Sequence, residues 1–176
     1  MQAARKLVSE EEFLQLPESN ERIELIDGEV FVSPSSSFEH QTILLRIVEA
    51  LRAWAKAHKP DATVAISPLD VRFRSGRILQ PDAMVFFEAL PRKVAMPIDR
   101  IPELTVEVLS SSNRRHDQVV KRAIYRESGV REYWLVDPDE LTLEVDSFDD
   151  APMVFYGRFV SRALAGFELE LSELFR

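Results

Sequence analysis

Cysteine is absent from the 176 residues, which excludes disulfides and thiolate metal sites. Glycine is scarce, five in all, and none builds a Gly-rich phosphate loop or a Gly-x-Ser-x-Gly nucleophile elbow. Histidine occurs three times, never as the His-Glu-x-x-His pair of a zinc protease. No apolar run approaches the roughly 20 residues of a membrane span. The N-terminal stretch MQAARKLVSEEEF also lacks the apolar region of a signal peptide, so a soluble cytoplasmic protein without membrane association is expected. Positive charge is short as well: 22 Lys and Arg against 30 Asp and Glu leave a net charge of −8, which argues against tight nonspecific binding to nucleic acid.

What is present fits a folded protein. A hydrophobic fraction of 45% and clear helical and strand periods exclude general disorder, and the length suits one domain over residues 1–176. One segment runs against the overall charge. Residues 114–131 hold Arg114, Arg115, Lys121, Arg122, Arg126 and Arg131 against Asp117 and Glu127, a local balance of 6 − 2 = +4. This is either a solvated helix face balanced by acids elsewhere or a track for a phosphate backbone.

Ser9 with Glu12 has capping-box spacing and predicts a short helix over EEEFLQL, closed by Pro17. ERIELIDGEVFVS reads as a hairpin turning at Asp27-Gly28, with Glu24 pointing away from Ile23 and Leu25. After the SPSSS loop, Ser36 and Glu39 offer a second capping box for a helix from about Phe38 to Lys59. Its apolar stripe is Leu44, Ile47, Val48, Leu51 and Trp54.

ATVAISPLDVRFRSGRILQPDAMVFF predicts two or three strands with a turn at Ser75-Gly76, and Pro91 to Pro102 a long loop. ELTVEVLSSS then gives a strand, SSSN a helix start, Arg115 to Glu127 a helix, and Ser128-Gly129 its stop. REYWLVDP is a strand, and residues 141–176 alternate as an antiparallel extension. The order is that of an α/β (α+β) fold, a central sheet flanked by helices.

Glu107 is the anomaly. It sits in a strand that otherwise reads as buried, and an ionised glutamate is rarely buried without a partner. Either its face meets water or a positive group lies opposite. Asp82 follows Pro81 at the mouth of the apolar strand AMVFF, and if that strand pairs with the Glu107 strand the two carboxylates converge. Such a pair suits Mg²⁺ or Mn²⁺, an ion able to polarise a phosphoryl oxygen and acidify a bound water. Spacing alone equally allows Asp82 to cap a turn and Glu107 to face solvent.

Lys121 shares a helical stripe with Asp117 and Tyr125, as a surface ion pair with Asp117 or as a cation over the strand ends. His40, at the start of the second helix, is a helix-start polar group or a residue reaching a metal or phosphate. Glu24 is a cross-strand charge partner or a third acid.

ERIELIDGEVFVSPS, His40, QPDAMVF, ELTVEVLSSSN, DQVVKRAIY and GVREYWLVDP together resemble one family, over roughly Ser9 to the C-terminus. It is the bacterial family of inferred restriction endonucleases of Uma type, long catalogued as a domain of unknown function, within the PD-(D/E)xK nuclease superfamily. The resemblance implies a restriction-endonuclease-like mixed sheet with a helix on each side. It implies Asp82 and Glu107 as Mg²⁺ ligands, the main-chain carbonyl of Val108 as a further ligand, and Glu24 and His40 beside the site. The superfamily lysine would fall at position 109, where this sequence has Leu109; Lys121, from the neighbouring helix, matches family members that draw the lysine from there. GVREYWLVDP is expected to be core strand, with Tyr133 and Trp134 buried.

The expected function is a Mg²⁺-dependent DNA endonuclease. A catalytically inactive nuclease fold used as a binding module is the alternative, with protein partners or a homodimer formed at the exposed edge of the C-terminal strands.

Overall fold

The computed structural model describes residues 7–17, 19, 21–110 and 114–176. Ser9 and Glu12 close the expected capping box on α1 (Glu10–Leu14), with the Ser9 amide donating to Glu12 Oε2 at 2.8 Å and the Glu12 amide to Ser9 Oγ at 3.1 Å. The helix ends at Leu14, short of the expected Leu16. Strands β1 (Arg22–Ile26) and β2 (Glu29–Ser33) form the hairpin. Asp27 and Gly28 both have positive φ, 50° and 89°, as a two-residue hairpin turn of the right twist requires.

Helix α2 (Phe38–His58) is capped by Ser37, whose Oγ accepts the His40 amide at 3.1 Å. The expected Ser36–Glu39 box therefore does not form. The residue directly before the first helical turn makes the cap, and that is one position later.

Residues 62–87 form four strands, more than the two or three expected: β3 (Thr63–Ile66), β4 (Val71–Arg74), β5 (Arg77–Leu79) and β6 (Ala83–Phe86). They are divided between two sheets. A four-stranded antiparallel sheet has the order β2-β1-β5-β4. The larger one runs β10-β9-β8-β7-β6-β3, built with β7 (Leu104–Val108), β8 (Glu132–Asp137), β9 (Thr142–Asp146) and β10 (Met153–Phe155). Within it β7 and β8 are parallel and the other pairings antiparallel, so the sheet is mixed as expected. Beside this expected central sheet stands the separate four-stranded one, because β1 pairs with the distant β5, a contact that no local pattern encodes.

Gln80-Pro81-Asp82 is the crossing between the sheets. Proline has no amide to lose from a ladder and fits such a transition. The long loop of residues 91–102 is pinned where buried Ile98 exchanges main-chain hydrogen bonds with Asp70 and Arg72.

After β7, the expected helix start at Ser111 to Asn113 lies outside the described residues. The helix itself is in two parts: a π-helical segment, His116–Lys121, runs directly into α3 (Arg122–Ser128). Gly129 ends it at φ 85°, the left-handed cap expected there. The chain closes with the hairpin β11 (Arg158–Val160) and β12 (Glu168–Glu170) and with α4 (Leu171–Leu174).

The six-stranded sheet is covered on both faces. On one side α2, the β11–β12 hairpin and α4 pack Leu51, Trp54, Phe159, Phe167 and Leu174 against Val106 and Trp134. On the other, α3 and the four-stranded sheet pack Phe73, Leu79 and Tyr125 against Met84 and Tyr133. Tyr133 and Trp134 are fully buried, as expected of core strand. All five residues of β7 are buried, so the face carrying Glu107 does not meet water.

Candidate active site

Asp82 and Glu107 come together because β6 and β7 pair antiparallel with Ala83 opposite Val106, which places the residue before Ala83 beside the residue after Val106. Asp82 Oδ2 also accepts the Val108 amide at 2.8 Å, fixing one oxygen of the carboxylate. From the second sheet, β1 directs Arg22 and Glu24, two residues apart on one face, toward this point. The Arg22 guanidinium spans the pair: Nη1 donates to Asp82 Oδ1 at 2.6 Å and Nη2 to Glu107 Oε2 at 3.1 Å. It donates as well to the Gln80 carbonyl.

The other oxygen of Glu107 belongs to the helix. Lys121 Nζ donates to Glu107 Oε1 at 2.9 Å and the Tyr125 hydroxyl donates to the same atom at 2.6 Å. Lys121 also lies 3.0 Å from Glu24 Oε1 and 3.5 Å from Asp117 Oδ1. A π-helical turn, wider than an α-turn, presents Asp117 and Lys121 to the site together, and such turns recur at functional sites. The surface reading of the Asp117–Lys121 pair is overturned, since the two side chains are only 5% and 2% exposed. Leu109, where the resemblance would set a lysine, packs into the apolar layer, and Lys121 reaches Glu107.

His40 Nε2 lies 3.5 Å from Asp82 Oδ2, near enough to feel its charge but not an aligned hydrogen bond; both ring nitrogens are buried without a hydrogen-bond partner among the described residues. Glu24 Oε1 accepts the Gln80 amide at 2.8 Å. The five residues singled out from sequence, Asp82, Glu107, Lys121, Glu24 and His40, thus meet in one place. The main chain of Val108 joins them as the donor to Asp82.

Burial and charge set the protonation. Burial, which would raise the Asp82 carboxyl, is outweighed by His40 and Arg22, and the group is held well below the usual carboxylate range. Glu24 is likewise lowered, because Lys121 and Arg22 overcome its burial. At Glu107 burial wins against Lys121 and Arg22, and the carboxyl is pushed up. Burial carries Asp117 to about 7 despite Lys121. Lys121 is raised although burial opposes it, the carboxylates of Glu107 and Glu24 keeping it an ammonium.

A cavity of about 300 Å³ opens onto this cluster. Arg22, His40, Asp82 and Asp117 line it, with Ser33 to Ser37 as one wall and Val108 to Ser110 as another. Glu107, Glu24 and Lys121 sit behind, each no more than 2% exposed.

Sequence reasoning missed Arg22 and His116, and set Tyr125 on the Lys121 stripe without giving it a role. Arg22 had a signal, since an arginine two residues before Glu24 shares its strand face. His116 had none; it stacks 4.6 Å from the Phe31 ring, 3.9 Å from Glu24 Oε2, a contact created by the fold. The basic segment of residues 114–131 is not a free cationic track. Arg114 pairs with Asp137 and Asp139, Arg122 pairs with Glu144, and Arg126 lies 3.8 Å from Asp146. Acids on β8, β9 and the turn between them balance the helix, as the solvated-face reading holds.

The donor set can be tested against a divalent ion. Among the described residues no group of three or more His, Asp or Glu converges to hold one unaided. Two carboxylate oxygens do converge, and a guanidinium already stands where a cation would sit. Mg²⁺ characteristically takes one or two carboxylates, filling its other positions with water and substrate phosphate. Three carboxylates, Asp82, Glu107 and Glu24, face two cations, Arg22 and Lys121, so the cluster keeps a surplus negative charge. The residues present fit such an ion.

A two-sheet α/β body with this acidic cleft has a relative among solved structures. It is similar to a putative nuclease belonging to DUF820 from Anabaena variabilis ATCC 29413, 25% identical, over 96% of this chain and 97% of that one, with a TM-score of 0.83. The chain belongs to the Uma2 family, described as "Putative restriction endonuclease", whose sequence profile matches residues 10–171. No curated protein matches the chain. Among the described residues no helix is long and apolar enough to cross a membrane.

Proposed function

We propose that the protein is a cytoplasmic Mg²⁺- or Mn²⁺-dependent endonuclease that hydrolyses phosphodiester bonds in DNA. One observation carries this reading: Asp82 Oδ1, just before β6, and Glu107 Oε2, on the adjacent β7, are both held by one cation, the Arg22 guanidinium, at a cleft that Asp82 lines with Glu107 behind it. Family membership and the nuclease neighbour support nuclease function in general. A divalent ion held by Asp82, Glu107 and the Val108 carbonyl would polarise a phosphoryl oxygen and lower the pKa of a bound water.

The protein's own groups prepare that chemistry. Asp82 is kept ionised, and its Oδ2 is fixed by the Val108 amide. Tyr125 and Lys121 fix Glu107 through Oε1, so its Oε2 points to the shared position. Lys121, held as an ammonium, supplies fixed positive charge beside a phosphate that gathers negative charge during hydrolysis. His40 lines the cleft with Nε2 3.5 Å from Asp82 Oδ2, where it helps keep that carboxylate ionised. We place a homodimer contact at the open edge of β10, where Met153 and Val154 are exposed.

Arg22 and Lys121 already neutralise most of the acids, and that favours a second reading, a catalytically idle nuclease fold that binds partners. Incubating supercoiled plasmid, linear duplex and single-stranded DNA with Mg²⁺ or Mn²⁺ separates the two. Wild type is expected to cleave at least one of them, with no cleavage in EDTA. Glu107→Gln is expected to lose about 100-fold or more in rate. A variant as active as wild type contradicts the assignment; metal-independent inertness of both on every substrate favours the idle fold.

A further inference from the structure

Arg22 holds the same two oxygens that a divalent ion would take. Its Nη1 and Nη2 use Asp82 Oδ1 and Glu107 Oε2, while Asp82 Oδ2 and Glu107 Oε1 are committed to the Val108 amide and to Lys121 with Tyr125. An ion cannot bridge the pair while the guanidinium does. Resting on the metal-dependent reading above, we infer that Arg22 and the divalent ion are alternative occupants of the Asp82–Glu107 pair, and that Arg22 is the built-in counter-cation which must swing aside for the site to load.

The two cations of the cluster differ in their freedom to do this. Lys121 is 2% exposed and boxed in by Glu107, Glu24 and Asp117. Arg22 is 16% exposed and lines the cleft, so its head has open space to enter. Its Nη2 also donates to the Gln80 carbonyl, while Nε is buried with no hydrogen-bond partner among the described residues. Two charge-assisted hydrogen bonds keep the acids from facing each other unscreened, and the same bonds set a barrier to loading. Asp82 and Glu107 are therefore stable when no ion is bound, at the cost of weaker ion affinity.

Calorimetric titration of Mn²⁺ into wild type, Arg22→Gln and Arg22→Lys tests this, with circular dichroism confirming that each is folded. Removing the competitor is expected to tighten Mn²⁺ binding by about tenfold or more in Arg22→Gln, since each bond released to a charged group is worth that order. Arg22→Lys keeps the charge on a head that cannot fork across two carboxylates, and a gain of a few-fold is expected. If wild type binds and Arg22→Gln binds no more tightly, Arg22 does not compete, and the metal-dependent reading stands without it. Binding by neither overturns both. Should Arg22→Gln fail to fold, Arg22→Lys decides: no gain in affinity overturns the competition.

Discussion

Glu107 accepts hydrogen bonds from three elements at once, Arg22 on β1, Lys121 on the π-helical segment and Tyr125 on α3. Its oddity in an otherwise apolar strand was legible in the sequence, which left open a face meeting water or a positive partner. The partners present are two side chains, and neither could be assigned by spacing because both arrive from other elements. Asp117 shows what the same crowding does to a residue without a hard partner. Its folded carboxyl sits near 7, so from its ordinary value up to there the folded protein holds more protons than the unfolded chain, and stability falls as pH rises through that window. Asp82 and Glu24, both lowered, act oppositely: they stabilise above the ordinary carboxylate range, and that stability is lost on acidification. Asp117→Asn is expected to flatten the decline between about pH 4.5 and 7.5 and to melt above wild type near pH 8, measured by thermal unfolding across pH. A wild-type curve rising steadily through neutrality, with the variant unchanged, would contradict the raised value.

At the scale of elements, the capping box of α1, the Asp27-Gly28 hairpin and the Gly129 stop were readable because each is decided by residues adjacent in sequence. The π-helical turn was not. Its stripe Asp117, Lys121, Tyr125 looks like an ordinary charged helix face, and only the fold shows that Lys121 meets the buried acids Glu107 and Glu24 there. Glu132 opens β8 in the same hidden way. Buried at 1% exposure, it accepts from the Trp134 indole, the Ser161 hydroxyl and the amides of Arg162 and Ala163, tying the six-stranded sheet to the turn after β11. Glu132→Ala strands those donors and is expected to lower stability by about 2–4 kcal/mol in chemical denaturation. Divalent-ion affinity of the folded variant should be unchanged, because the residue is remote from the cleft. A loss below about 0.5 kcal/mol would show that water replaces the carboxylate.

For the whole molecule, the sequence conveyed the α/β class and the order of elements but not the division into two sheets, which depends on β1 meeting β5 across more than fifty residues. That division makes the site. Each sheet contributes half, Asp82 and Glu107 from one and Arg22 and Glu24 from the other, with Gln80-Pro81-Asp82 stitching them together. The net charge is −8, and Arg114, Arg122 and Arg126 of residues 114–131 are balanced by acids on β8, β9 and the turn between them. On the proposed reading, attraction to DNA would fall largely to the cleft and a bound ion.

The central claim is that Asp82 Oδ1 and Glu107 Oε2 define a divalent-ion position. Anomalous diffraction from crystals saturated with Mn²⁺ tests it most directly. A peak bonded to both oxygens, with the Arg22 head turned away, is the predicted result; saturated crystals with no peak there and Arg22 still bridging the two carboxylates would contradict it.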